Sequence, residues 1–174
     1  MKVWVAVVGV AGVVVAMAGA QVPARSAPAT VSACGVMSEN FSAKAGPAQG
    51  AAAQVPEGKA LVYVVEDILP LRNTLRVGMD GKWVGATSSH TYLSFAVDPG
   101  VHHLCVTVQG SGRDQLEKGI TLRQLHVDAG KTYYLRVRVV WGETTQPLIF
   151  LEAVDEDEGQ LLVQTMVPTV WKVK

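Results

Sequence analysis

The chain has 174 residues, enough for one domain and not comfortably two. Its 15 Lys+Arg balance 15 Asp+Glu, which lacks the basic excess of a nucleic-acid binder. With 49% apolar and 17% charged residues, the composition also excludes a chain disordered throughout.

The N-terminus reads as an address. Sixteen of the first 20 residues are apolar. Met1-Lys2 gives a short positive start, and the apolar run ends in Ala18-Gly19-Ala20 before polar Gln21. That is the layout of a secretory signal peptide over residues 1–20, and the run is short for a membrane span, which takes roughly 20 apolar residues. The mature chain is expected to carry no transmembrane span and to be exported, periplasmic or extracellular. A rival reading takes Val31-Ser32-Ala33-Cys34 as a lipobox, with Cys34 acylated. The polar stretch Gln21–Thr30 separates that motif from the apolar run, where a lipobox would directly follow it.

Residues 21–57 form an Ala/Pro-rich N-terminal segment. Gly46-Pro47, Gly50 and Pro56 break its Ala run, so a linker is expected there. The exception is the small apolar island Cys34-Gly35-Val36-Met37 to Phe41, which should dock on something. Strands dominate 58–174. Ala60–Glu66 is apolar on both faces and reads as a central strand. Asp80-Gly81 is a strong hairpin signal between Thr74–Met79 and Lys82–Ala86, and it pairs Gly78 with Trp83 and Val77 with Val84. Thr91–Val97 and Val101–Gln109 flank Asp98-Pro99-Gly100, read as a second hairpin turn that sets Val97 opposite His102. Ile120–Val127, Thr132–Val140 and Leu148–Val154 follow, and Leu161–Val167 closes the domain as a short helix or an edge strand. The acidic run Asp155–Glu158 reads as a solvated turn. About eight short strands without a long amphipathic helix spell an all-β fold, an immunoglobulin-like or transthyretin-like antiparallel β-sandwich.

The motifs Gly58-Lys59-Ala60-Leu61-Val62-Tyr63-Val64, Val77…Asp80-Gly81…Val84-Gly85, Tyr92-Leu93, Asp98-Pro99-Gly100-Val101-His102-His103 and Ala129-Gly130-Lys131-Thr132-Tyr133-Tyr134 occur in that order. Over roughly 58–165 the chain resembles an uncharacterised family of bacterial exported domains, similar in plan to PEGA-type β-sandwich domains. The resemblance implies an accessory module and carries over no catalytic residue, cofactor or ligand.

Two cysteines in an oxidising compartment suit one disulfide. A Cys34–Cys105 bridge would lay the 34–41 island across the outer face of a sheet. The histidines His90, His102, His103 and His126 show no metal spacing. His102 and His103 are strand neighbours and point to opposite faces. No nucleophile elbow, P-loop, dinucleotide fingerprint or zinc-protease motif is present. Strand parity sends Leu93, Phe95, Leu135, Val137 and Val139 inward and Trp83, Tyr92, Tyr134, Arg136 and Arg138 outward. Those five are the candidate binding face, where aromatics beside arginines would suit an envelope protein or a polysaccharide. The alternative is that the N-terminal segment covers them. The functional expectation is an exported non-catalytic module that binds or scaffolds. Its rival is a small hydrolase or metal-dependent enzyme built on the same sandwich.

Overall fold

A computed structural model describes residues 33–48, 53–66, 74–109, 119–141 and 147–174. Ten strands and one helix are described: β1 (Phe41–Ala45), β2 (Ala60–Glu66), β3 (Leu75–Met79), β4 (Lys82–Thr87), β5 (Thr91–Val97), β6 (Gly100–Val108), β7 (Ile120–Val127), β8 (Thr132–Trp141), β9 (Pro147–Val154), α1 (Glu156–Thr165) and β10 (Val167–Val173). They form a sandwich of a six-stranded sheet, β1-β10-β5-β2-β8-β9, and a four-stranded sheet, β4-β3-β6-β7. The fold is therefore the expected all-β sandwich, with ten strands. It is not wholly antiparallel, because β2 runs parallel to β8 and β10 parallel to β5.

The core follows the period-2 alternation of the strands. Val62, Val64, Leu93, Leu135, Val137, Ile149 and Leu151 of the large sheet meet Leu75, Val77, Leu104, Val106, Leu125 and Val127 of the small one. Phe95 is half-buried against that cluster, while the side chain of Val139 lies outside the described residues. β2 lies between β5 and β8, and all seven of its residues are buried. Its alternate side chains Leu61, Tyr63 and Val65 feed a second cluster on the outside of the large sheet, completed by Leu162, Val163 and Met166.

Asp80 (φ 50°) and Gly81 (φ 83°) both take the left-handed region, as the tight turn of a two-residue hairpin requires. Gly78 pairs with Trp83 as expected. A bulge then shifts the register, so Val77 pairs with Gly85 rather than Val84. The second expected hairpin does not form. β5 belongs to the large sheet and β6 to the small one, so Asp98-Pro99-Gly100 turns a corner between layers and Val97 is not paired with His102. Two bonds hold that corner. Lys59 Nζ meets Asp98 Oδ1 at 2.5 Å, and His102 Nε2 reaches the Asp98 carbonyl at 2.8 Å.

Three elements, β1, α1 and β10, depart from the sequence reading. Part of the expected linker is strand: β1 pairs antiparallel with β10 from Phe41↔Val173 to Ala45↔Thr169. The acidic run opens a helix. The Asp155 side chain accepts a hydrogen bond from the Glu158 amide at 2.8 Å and caps α1. Glu156, Asp157 and Glu158 then sit in the first turn, where the helix dipole favours negative charge.

Candidate functional site

The five residues expected on one face lie on two. Trp83 belongs to the outer face of the small sheet. Tyr92, Tyr134, Arg136 and Arg138 belong to the outer face of the large one. Each face then acquires its own cover, which strand parity alone does not reveal.

Over the small sheet the cover is the segment Ala33–Phe41. Cys34 and Cys105 are bonded, with Cα atoms 5.2 Å apart, within the range that a disulfide spans without backbone movement. Both are buried with Ala33 against Trp83, Met37 and Ile120. Trp83 Nε1 donates to the Val36 carbonyl at 2.8 Å. Arg76 lies under the same segment and is 4% exposed. Its Nη1 donates to the carbonyls of Met37 and Glu39, both at 2.9 Å, and its guanidinium sits 4.7 Å from the Trp83 ring centroid. Burial lowers the Arg76 pKa from its ordinary value. Gln109 continues the seam: its Oε1 accepts from the Phe41 amide and its Nε2 donates to the Phe41 carbonyl. Gly78 leaves room for this strap, since a Cβ there would come 3.1 Å from Cys34 Cα. With its sulfur bonded to Cys105, Cys34 has no thiol left to acylate. The pair also fits an oxidising location.

Over the large sheet the cover is α1. Tyr134 stacks on Tyr63 at 5.3 Å with rings 12° from parallel, and Tyr63 meets Tyr92 edge-on at 5.6 Å. Burial raises the phenol pKa of all three. It is opposed at Tyr63 by a hydrogen bond with the Ala53 backbone, and it is reinforced at Tyr92 and Tyr134 by the charge of Tyr63. Gly159 of α1 seats directly on the Tyr134 ring. Arg136 bonds Glu158 of the helix and lies 3.5 Å from Glu152 of β9. Tyr92, Tyr134 and Arg136 thus dock a helix rather than present a free surface.

Arg138 remains uncovered, and the register explains its neighbours. On β8–β9 the outward pairs are Arg136↔Glu152, Arg138↔Phe150 and Val140↔Leu148. Val140, Leu148 and Phe150 are 44%, 48% and 45% exposed. They form an apolar strip beyond the end of the helix-docking contacts, with Arg138 and Glu152 on its border, 3.5 Å apart. The sequence reading missed Phe150 and Leu148, although Leu148–Val154 alternates in phase with β8.

Elsewhere the titratable groups serve the fold. His102 Nδ1 lies 2.7 Å from Asp80 Oδ2, and the His103 amide donates to Asp80 Oδ1 at 2.8 Å. Both ring nitrogens of His102 face acceptors, so the charged ring fits this position best. Burial lowers the His102 pKa, but the bonds and charges of Asp80 and Asp98 outweigh it and the net shift is upward. Asp80 is pushed up by burial and pulled further down by its bonds to His102 and His103 and by their charge. Glu66 ends β2 on its core-facing side, fully buried, with Thr87 Oγ1 2.6 Å from its Oε2 and no partner for Oε1. Burial pushes its pKa to about 7 against that hydrogen bond. Such a value suits proton transfer, but a side chain with no exposed surface offers a substrate no approach. Among the described residues, no three His, Cys, Asp or Glu side chains gather as a metal site would need. Nor is any described helix long and apolar enough to cross a membrane.

No protein-family model matches the chain, and no curated protein does so either.

Proposed function

We propose that this chain is an exported, non-catalytic β-sandwich module of the periplasm or cell envelope, and that it docks a partner protein through the outer strip of β8–β9. The observation that carries the reading is the strip itself. Strap and helix cover Trp83, Tyr92 and Tyr134, yet Val140, Leu148 and Phe150 stay open side by side. A contiguous exposed apolar strip bordered by polar groups has the make-up of a protein-interaction site. Arg138 and Glu152 at its border supply the polar rim of an interface. The disulfide-fastened strap supports export. The resemblance in plan to PEGA-type accessory domains points the same way. A photo-crosslinking residue in place of Phe150 tests the reading, with a second at exposed Gln124 of β7 as control. The reading expects one discrete crosslinked product from position 150 in the producing cell and none from position 124. Equal labelling from both positions, or none from 150, would contradict it.

A further inference from the structure

The ribbon formed by β1 and β10 holds a cleft of about 340 Å³, lined by Ser42, Ala43, Lys44, Val170, Trp171 and Lys172. We propose that this cleft binds an acidic saccharide, with its anionic group held between Lys44 and Lys172.

The register sets Ser42 opposite Lys172, Ala43 opposite Trp171 and Lys44 opposite Val170. Phe41 is buried and meets the Trp171 ring at 5.7 Å, so Phe41 and Trp171 face the body of the protein. Alternation turns Ser42, Lys44, Val170 and Lys172 to the other face. Lys44 and Lys172 are then diagonal neighbours across the strand pair, with Cβ atoms about 7 Å apart. Two ammonium groups on flexible stems at that spacing can close on one carboxylate or phosphate.

Charge distribution favours the same ligand. Residues 40–48 and 166–174 contain three lysines and no acidic side chain. Neither Lys44 nor Lys172 has an ion-pair partner among the described residues. The acidic turn at 155–158 opens the helix over β8, three strands along the sheet from β10. The nearest acid in sequence, Glu39, precedes β1 and belongs to the strap. Like charges set side by side repel, and an anion between them removes that repulsion. Ser42 offers a hydroxyl to sugar hydroxyls, and Val170 offers an apolar side chain to a ring face. The volume matches the lower range of small-molecule sites. Gly46 helps shape the end of the cleft: its amide bonds the Pro168 carbonyl at 2.7 Å, and a Cβ there would meet the Val170 side chain at 2.9 Å. The site is independent of the β8–β9 strip, at the opposite edge of the large sheet.

The test is a titration of isotope-labelled protein, followed by amide chemical shifts at low ionic strength. The three probes are glucuronate, glucose 6-phosphate and glucose. At least one charged sugar should shift the amides of Ser42, Lys44 and Lys172 saturably, with Kd on the order of 1 mM, while glucose should not. Whether glucuronate or glucose 6-phosphate binds tells a carboxylate from a phosphate ligand. Lys44→Gln combined with Lys172→Gln should weaken binding at least about tenfold and leave the thermal midpoint unchanged. Lys44→Arg combined with Lys172→Arg should restore it. Three results would overturn the proposal: no saturable shift with either charged sugar, equal binding of glucose, or binding indifferent to the double Gln substitution.

Discussion

Glu66 is a carboxyl placed where strand alternation asks for an apolar residue, and this makes its effect on stability predictable. Its pKa is pushed from 4.5 to about 7 in the fold. A raised pKa means that folding is unhindered while the group is neutral in both states, below its unfolded value. Stability then falls as pH climbs from about 4.5 to about 7 and stays reduced above that. The gap corresponds to roughly 3 kcal/mol as an upper figure. Glu66→Gln, neutral at every pH, should therefore raise the thermal midpoint by several degrees at pH 8 and change it little at pH 4. An equal effect at both pH values would refute the assignment. His102 shifts stability with pH in the same direction, but through a favourable bond rather than through a buried charge. Its raised pKa makes the bond to Asp80 stabilising below about 6.5, and that contribution is lost as pH rises through the folded value. The lowered pKa of Asp80 bounds the window on the acid side, below its ordinary 3.8. His102→Gln should cost stability at pH 6 and progressively less toward pH 9, as read by denaturant titration. A cost independent of pH would mean that the ring acts by packing alone. At this scale the sequence told much about the cysteines, since two of them allow one intramolecular pairing. It told less about Glu66, because an acid at the end of ALVYVVE looks like a strand terminus until the neighbouring strands close over it.

Elements explain why the expected aromatic face is divided. Parity says which side of a strand points away from the core, and it was informative for Tyr92, Tyr134, Arg136 and Arg138. It cannot say what later comes to lie over that side, and here a strap and a helix do. The helix was legible in hindsight: Asp155-x-x-Glu158 before Leu161-Leu162-Val163 has the pattern of a capping box. The sequence reading allowed a short helix only over Leu161–Val167, and the acidity of the run concealed its start. The seat of α1 on the sheet yields a prediction of unusual sign. Gly→Ala inside a helix ordinarily stabilises by about 1 kcal/mol. At Gly159 a methyl group would overlap the base of the Tyr134 ring, and overpacking of that kind costs roughly 1–3 kcal/mol. Gly159→Ala should thus lower the thermal midpoint, and a rise would show that α1 does not sit there. The strap makes the larger claim. Cys34 and Cys105 are 71 positions apart, a loop whose closure is worth about 4 kcal/mol by chain entropy. Cys105→Ser should lower the midpoint by several degrees and expose Trp83, visible as a red shift of its fluorescence. An unchanged midpoint and spectrum would mean that Arg76, Trp83 and Gln109 hold the strap without the bridge.

For the whole molecule, the sandwich and its central strand β2 were legible because short alternating strands and tight turns leave few other folds. The order of strands was not. The turn at Asp98-Pro99-Gly100 has the chemistry of a hairpin, but the same residues can turn a corner between two sheets, and His102 and Lys59 hold it there. The pairing of β1 with β10 joins segments more than a hundred residues apart, and nothing local in FSAKA or VPTVWKV announces it. Strap and helix cover Trp83, Tyr92 and Tyr134, and the β1–β10 pairing builds the lysine cleft, so the candidate sites were the least legible part. The central claim is that a disulfide fastens the N-terminal strap across the small sheet. Peptide mapping without reduction, on protein taken from the envelope of the producing cell, tests it most directly. The account predicts one cross-linked species joining the Cys34 and Cys105 peptides, reducible to its two parts. Two free, alkylatable thiols, or a chain that begins at an acylated Cys34, would contradict it.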